Sequence, residues 1–418
     1  MPSFQKIHYD ELAKDMVVYI KRKNGTIDYV TFDSDTIFTT NSKIPDKHKH
    51  KYQLTDGFED THEGLRNYMG KLLRWIKEFF CESKMMFGIG LRYTLGFSHN
   101  SSVMSIFHQL VPSKFYDFIE QVNLDESEWI EKCNNGGLQY CQPQTCESFS
   151  YDFKSMYPSC LTQRDFFISS KGGTEIILDK MPSYDDLYMG YGYIRCKITC
   201  TDPDIKKLIA FSKNHVYTDI TIMFVYELQK KMDIKMDLII DGKPNAYIYN
   251  KDDLIDTRDI FIVWFARLSK LKLKHPSNKL FKRCLSSLWG CLCQANTITK
   301  TEQQLEDENI DYDFFGTPKY IVKNLSYNAD GTQYYELINR ENPYLHNLAR
   351  IKASLTSYVR IKTARTALLK LDKVVRIHTD SICFSEPFNY KNIYGLLPEE
   401  KSSGNIKWIN VNEYEKVE

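Results

Sequence analysis

The chemistry legible in this chain is carried by two aspartates and one helical stripe. Asp152 ends Phe149-Ser150-Tyr151-Asp152, which reads as a strand finishing in a carboxylate. Asp380 lies in a tight turn, Thr379-Asp380, between the strand-like runs Val374-Val375-Arg376-Ile377-His378 and Ser381-Ile382-Cys383-Phe384. Lys279, Lys282, Ser286 and Trp289 follow at steps of three, four and three, which sets them on one stripe of a helix. Two carboxylates brought together on neighbouring strands repel, and such a pair is built to hold divalent cations, hard ions that take oxygen ligands. A helical lysine supplies what a triphosphate needs. The chemistry is two-metal phosphoryl transfer: one ion activates an attacking hydroxyl, the other steadies the triphosphate and leaving group, and the lysine neutralises developing charge.

Several elements must position these groups. Thr257 to Leu273 reads as a helix, broken by His275-Pro276-Ser277-Asn278 with Ser277 as N-cap, and a second helix runs from Lys279 to about Leu292. So short a break makes an antiparallel helical hairpin. Tyr320 to Ile338 is a predicted β-hairpin turning at Asn328-Ala329-Asp330-Gly331. Pro343 to Lys370 is predicted as a long amphipathic helix, with Leu348, Ile351, Leu355, Tyr358 and Ile361 at helical spacing. Upstream, a strand pattern at Tyr29 to Phe38, a helix at His62 to Phe80 and a turn-rich stretch at Ser98 to Ser102 form a mixed α/β region that ends at the breaker Asn134-Asn135-Gly136-Gly137.

Composition bounds the rest. The 418 residues are 42% hydrophobic and 14% aromatic with 13 Pro and 19 Gly, which excludes disorder and collagen-like repetition and allows two or three cores. No stretch has the apolar length of a membrane span, and the start lacks a signal peptide's apolar region, so a soluble, intracellular, non-secreted protein is expected. Eleven cysteines read as reduced thiols; Cys133, Cys141 and Cys146, or Cys291 and Cys293, lack the C-x-x-C pairing of zinc sites. The 55 Lys+Arg nearly balance 54 Asp+Glu, yet the charge is segregated. No acid falls between Asp259 and Glu302, nor from Asn342 to Leu371, where Arg350, Lys352, Arg360, Lys362, Arg365 and Lys370 lie. Two such segments suggest polyanion surfaces.

Asp152-Phe153-Lys154-Ser155-Met156-Tyr157-Pro158-Ser159 closely resembles the first polymerase motif of family B DNA polymerases, D-x-x-S-L-Y-P-S. Lys282-Arg283-Cys284-Leu285-Ser286-Ser287-Leu288-Trp289-Gly290 resembles their fingers motif K-x-x-x-N-S-x-Y-G, and His378-Thr379-Asp380-Ser381 resembles D-T-D-S. The order and separations are those of the family, and Gly136-Gly137 is similar to its Y-x-G-G linker, with Asn134 in the tyrosine's place. The resemblance covers roughly residues 134 to 418. It implies an α+β right-hand fold: a palm of antiparallel sheet and helices, helical-hairpin fingers, a reduced thumb and a small N-terminal α/β region that is exonuclease-like. The implied limits are 1–133 for that region, 134–255 and 296–390 for the palm, 256–295 for the fingers and 391–418 for a rudimentary thumb or tail.

By the same resemblance Asp152 and Asp380 are catalytic and, with the Phe153 carbonyl, hold two Mg²⁺ ions, with Mn²⁺ as a substitute. Ser155, Met156, Tyr157, Lys270 (or nearby Arg267), Lys282, Ser286, Trp289 and Gly290 would bind the nucleotide, Tyr157 packing under the sugar to exclude a ribose 2′-hydroxyl. Gly136, Gly137, Thr379, Ser381, Arg360 and Arg365 would contact DNA. The partners implied are primer-template DNA, a dNTP and a processivity or thumb-completing protein, with no membrane. His378, Ser286 and Trp289 depart from the family's Asp, Asn and Tyr. The chain ends too soon after Asp380 for the usual thumb and has no K-x-Y motif, so low processivity is expected. Asp33-Ser34-Asp35 and His99-Asn100 are faint echoes of nuclease motifs, and effective proofreading is not expected. The expected function is DNA-directed DNA synthesis, with a catalytically inactive, polymerase-like nucleic-acid-binding or replication accessory protein as the alternative.

Overall fold

The computed structural model describes residues 14–417 except 32–33, 35, 42, 55–58, 94–97, 188–191, 314–317, 329–330, 389–394 and 399–403. It is an α+β protein with several sheets, and its contacts divide into two units, Met1–Ser113 with Ile262–Cys291, and Lys114–Phe261 with Leu292–Glu418. Among the described residues no helix is long and apolar enough to cross a membrane.

In the first unit a four-stranded sheet has the order Phe38–Thr40, Ile27–Thr31, Met16–Lys21, His50–Gln53. The expected single strand from Tyr29 to Phe38 is two, folded back on each other. The helix His62–Phe87 is capped by Thr61, whose side chain accepts from Gly64 N, and stops where Gly88 turns left-handed at φ +71°. Its buried stripe is Leu65, Met69, Leu72, Ile76 and Phe79. The stretch Ser98 to Ser102 is the start of the helix His99–Leu110, because Ser98 and Ser101 form a capping box. The predicted hairpin is present as Thr257–Lys274 and Lys279–Leu292. Its cap is Asn278 rather than Ser277: Asn278 Oδ1 accepts from Leu280 N at 3.1 Å, while Nδ2 donates to the Trp75 carbonyl and to Glu78 Oε2. Phe281 stacks on Phe79 with centroids 4.5 Å apart. Cys284, Leu285 and Leu288 are buried on that side, while Lys279, Lys282, Ser286 and Gly290 are exposed.

The second unit is built around a seven-stranded sheet. Its path runs Tyr414–Lys416, Gly404–Trp408, Gln144–Phe153, Ser381–Phe384, Val374–His378, Gln139–Cys141, with Leu396–Pro398 also paired to Gln144–Phe153. The region expected as thumb or tail therefore supplies strands of this sheet, and Ile406 and Trp408 are buried with Val375 and Cys383. A five-stranded sheet centres on Gly192–Cys200 and Ala246–Ile248, and a four-stranded sheet holds the predicted hairpin, Tyr320–Tyr327 against Gln333–Asn339. Ala329 and Asp330 of its turn lie outside the described residues.

The first contact unit runs to Ser113 before it resumes at Ile262. The helix Leu124–Cys133 belongs to the second core, where Trp129, Ile130 and Cys133 pack with Tyr193, Tyr247, Tyr344 and Ala353. The segment Pro343 to Lys370 also differs from expectation: it is a 3₁₀ turn, Asn347–Arg350, followed by the helix Ile351–Ala367, and that helix is buried on most of its surface rather than on one face. Small residues such as Ala353, Ser357, Ala364 and Ala367 permit close approach. Thr356, Thr363 and Thr366 satisfy their hydroxyls on the carbonyls of Lys352, Val359 and Lys362, so burying them leaves no orphan.

This burial reverses the expectation for the second basic segment. Arg350 is 2% exposed and grips the fully buried Glu126 through two bonds of 2.6 and 2.8 Å. Lys352 pairs with Glu131, Arg365 with Glu227, and Lys370 with Glu386. These cations are counterions of the core and its margin, because the acids missing from the segment itself are brought to it by other elements.

Candidate active site

The two aspartates lie at the ends of two neighbouring interior strands of the seven-stranded sheet. Strand Gln144–Phe153 runs antiparallel to Ser381–Phe384 with Asp152 opposite Ser381, and Phe153 N donates to the Asp380 carbonyl at 2.9 Å. Antiparallel register thus places the two carboxylate-bearing residues on adjoining strand ends, as the sequence suggested. Both are half-buried.

Backbone strain surrounds them. Thr379, β-branched, is left-handed at φ +61°, and Ser155, which opens the single-turn helix Met156–Cys160, is left-handed at φ +51°. Each such residue costs of order 1–3 kcal/mol and persists only where its surroundings over-determine it. At Thr379 the surroundings are explicit. Its N–H donates to the Leu138 carbonyl at 2.9 Å, and its carbonyl accepts from Thr363 Oγ1 at 3.0 Å. Gly137 lies so close that a Cβ there would stand 2.6 Å from Thr379 Oγ1. Gly136 turns left-handed at φ +69°, and its carbonyl accepts from Arg360 Nη1 at 2.5 Å. Arg360 is 5% exposed and also donates to Ser357 Oγ, so its guanidinium holds the Gly136-Gly137 turn from within. Arg365, the other arginine expected at DNA, is exposed and bonds Glu227 Oε1 at 2.7 Å.

Beside this pair sits Tyr157. Burial, reinforced by the Asp380 carboxylate, pushes its phenol up to about 12, so it remains neutral at physiological pH. Met156 is buried against the helix Ile351–Ala367, where Thr363 Oγ1 approaches its sulfur at 3.9 Å. The Phe153 ring is buried with the Lys362 ammonium 5.8 Å from its centroid. Ser381 is 8% exposed, and its Oγ has no hydrogen-bond partner among the described residues. Among those residues no group of three or more His, Cys, Asp or Glu gathers. The side chains of Asp152 and Asp380 offer oxygen donors only. That suits Mg²⁺, which keeps several waters and takes further oxygens from a substrate's phosphates.

The nucleotide-binding residues expected from the fingers motif lie in the first unit. Lys270, Lys282, Ser286 and Gly290 are exposed on their helices and Trp289 is half-buried. Arg267 lies over the Phe87 ring, 5.5 Å from its centroid. Ser286 Oγ donates back to the Lys282 carbonyl at 3.0 Å. A Cβ at Gly290 would meet open space, so packing does not require a glycine there. Asp33 and Asp35 lie outside the described residues. His99 is a core residue, its Nδ1 2.9 Å from Tyr93 OH. None of the eleven cysteines is in a disulfide.

Sequence reasoning missed the supports: Leu138, Thr363, Lys362 and the inward role of Arg360. No local pattern marks them, since each acts across a fold contact.

No protein-family model matches the chain, and no curated protein matches it. Solved structures do. The chain resembles Phi29 DNA polymerase complexed with single-stranded DNA, with TM-score 0.56 and 12% identity over 93% of this chain and 69% of that one. It resembles the same enzyme's post-translocation binary complex with primer-template DNA, with TM-score 0.52 and 14% identity over 93% and 70%. The ternary complex with primer-template DNA and incoming nucleotide gives TM-score 0.50 and 12% identity over 90% and 61%. At these identities the likeness defines a polymerase-like fold.

Proposed function

We propose that the chain is a DNA-directed DNA polymerase that extends a primer 3′ end with deoxynucleotides. The observation that carries the reading is the pairing that sets Asp152 opposite the residue after Asp380, with left-handed Thr379 next to Asp380 and left-handed Ser155 three residues past Asp152, within a fold like that of a DNA polymerase. A degraded, non-catalytic fold has no call for a repelling carboxylate pair flanked by strain.

In this reading Asp152, Asp380 and the Phe153 carbonyl hold divalent cations, which supply Lewis-acid activation of the primer hydroxyl and charge neutralisation on the triphosphate. The chain's own groups do the rest. Tyr157, neutral and packed beside Asp380, forms the floor under the sugar and excludes a 2′-hydroxyl by bulk. Ser155 and Met156 begin the turn that aims it. Lys282, with Lys270 from the preceding helix, meets the triphosphate, and Trp289 and Gly290 give the base pair a flat surface; the bare Gly290 surface fits close approach of a ligand. Thr379 and Ser381 face the primer terminus, while Gly136 and Gly137 hold the Asp380 turn in place. DNA and a dNTP are the partners of this reading, and a processivity protein is a further expectation of it.

Single-nucleotide extension of a labelled primer-template with Mg²⁺ at low salt tests it, wild type beside Asp152→Ala and Asp380→Ala. Either variant is expected to lose at least ~10³-fold in rate while remaining folded; wild-type extension by either overturns the proposal. Absent extension with measurable DNA binding would favour a binding-only chain, the reading to which Ser286 points, since its hydroxyl turns back onto Lys282.

A further inference from the structure

The first unit carries a second feature that the polymerase reading does not use. Between the helix His62–Phe87 and the start of the helix Lys279–Leu292 lies a groove of about 560 Å³. Lys71 and Arg74 line it from one helix, Lys279 and Arg283 from the other, and Tyr68 and Trp75 form its aromatic part, their rings edge to face at 6.2 Å. Both aromatics are half-buried, so ring surface remains accessible.

The charge balance of the groove is one-sided. Its carboxylate, Glu78, is already engaged: Oε1 meets His275 Nδ1 at 3.0 Å and Oε2 accepts from Asn278 Nδ2 at 2.8 Å. None of Lys71, Arg74, Lys279 and Arg283 forms a salt bridge to a described residue, in contrast to Lys274 nearby, which pairs with Glu82 at 2.9 Å. Four cations without ion-pair partners among the described residues, set around two aromatic rings, give the groove a positive potential that attracts an anion. The combination of a positive channel with ring faces is the physics of single-strand binding: phosphates meet the cations and unpaired bases stack on the aromatics.

We propose that this groove binds single-stranded nucleic acid, with phosphates on Lys71, Arg74, Lys279 and Arg283 and a base against Trp75. A duplex keeps its bases stacked inside and presents phosphates alone, so the aromatic part of the groove discriminates for a single strand. A free nucleotide offers the same base and phosphate chemistry at one step only, whereas a strand spans cations on both helices. The site does not depend on Asp152 or Asp380.

The test is fluorescence anisotropy of a labelled oligo-dT against wild type, Lys71→Gln/Arg74→Gln and Trp75→Ala over a salt series, with a duplex of equal length and unlabelled dTTP as comparisons. Lys71 and Arg74 are exposed, so their neutralisation spares the core even if Trp75→Ala disturbs it. The double variant is expected to bind oligo-dT about tenfold more weakly at low salt, with a log–log salt slope smaller by about 1.4. Trp75→Ala should weaken oligo-dT tenfold or more and the duplex little. Unchanged affinity and slope in the double variant overturn the site; a loss that falls equally on the duplex, or competition by dTTP as effective as by the strand, overturns its assignment to single strands. The Asp380→Ala protein should bind oligo-dT as wild type does, so failure of extension and failure of this groove are read separately.

Discussion

The closeness of Gly137 to Thr379 makes the Asp380 turn sensitive to a single methyl group. Gly137→Ala would place Cβ 2.6 Å from Thr379 Oγ1, in a turn already strained at φ +61°. We expect a loss of about 1–3 kcal/mol in denaturant unfolding and at least ~10-fold in primer extension, since Asp380 moves with the turn; an alanine variant with wild-type values would remove the close approach as the reason for glycine. His99 governs a different property. Burial, with Arg283 nearby, lowers its imidazole from 6.5 to about 3. A folded value depressed below the unfolded one gives stability that is present above pH 6.5 and is lost as pH falls towards 3. At pH 5 the deficit is about 2 kcal/mol relative to neutral pH, and denaturant midpoints of wild type and His99→Gln at pH 7 and pH 5 measure it: the variant's pH dependence should be flatter.

The helix Ile351–Ala367 shows why an element can be predicted while its environment is not. Its helicity is legible in the spacing of Ile351, Leu355 and Ile361, but hydroxyl-bearing and small residues fill the rest of the surface, and hydropathy reads them as a solvent face. Once folded they are buried because other strands and helices cover them. The same covering sends Arg350 inward to Glu126, which Tyr249 OH also bonds at 2.8 Å. Removing one partner leaves the other charge buried and unpaired, so Arg350→Met or Glu126→Leu alone should cost about 3–5 kcal/mol, and the double variant much less than the sum. Additive losses in a double-mutant cycle would contradict direct coupling.

At the scale of the molecule, the C-terminal strands are structural. Gly404–Trp408 pairs with Gln144–Ser148 along the strand that carries Asp152, and Trp408 Nε1 donates to Ser148 Oγ at 2.9 Å. Removal of residues 404–418 is expected to lower the melting temperature by well over 10 °C or to abolish soluble folding, because it strips a central strand of one edge and exposes Val375 and Cys383; a tail that could be deleted without such a shift would refute the placement. The features legible along the chain are local: the strand that carries Asp152, the turn that carries Asp380, the break in the helical hairpin, and the residues that share its exposed stripe, since all of these follow from periodicity and breakers within a few residues. That Arg350 and Arg360 turn into the protein, that the last strands join the sheet, and that Gly137 and Thr363 hold the Asp380 turn emerges with the folded chain alone. Those facts depend on which distant segments come into contact, and charge or glycine content along the chain carries no record of the partner.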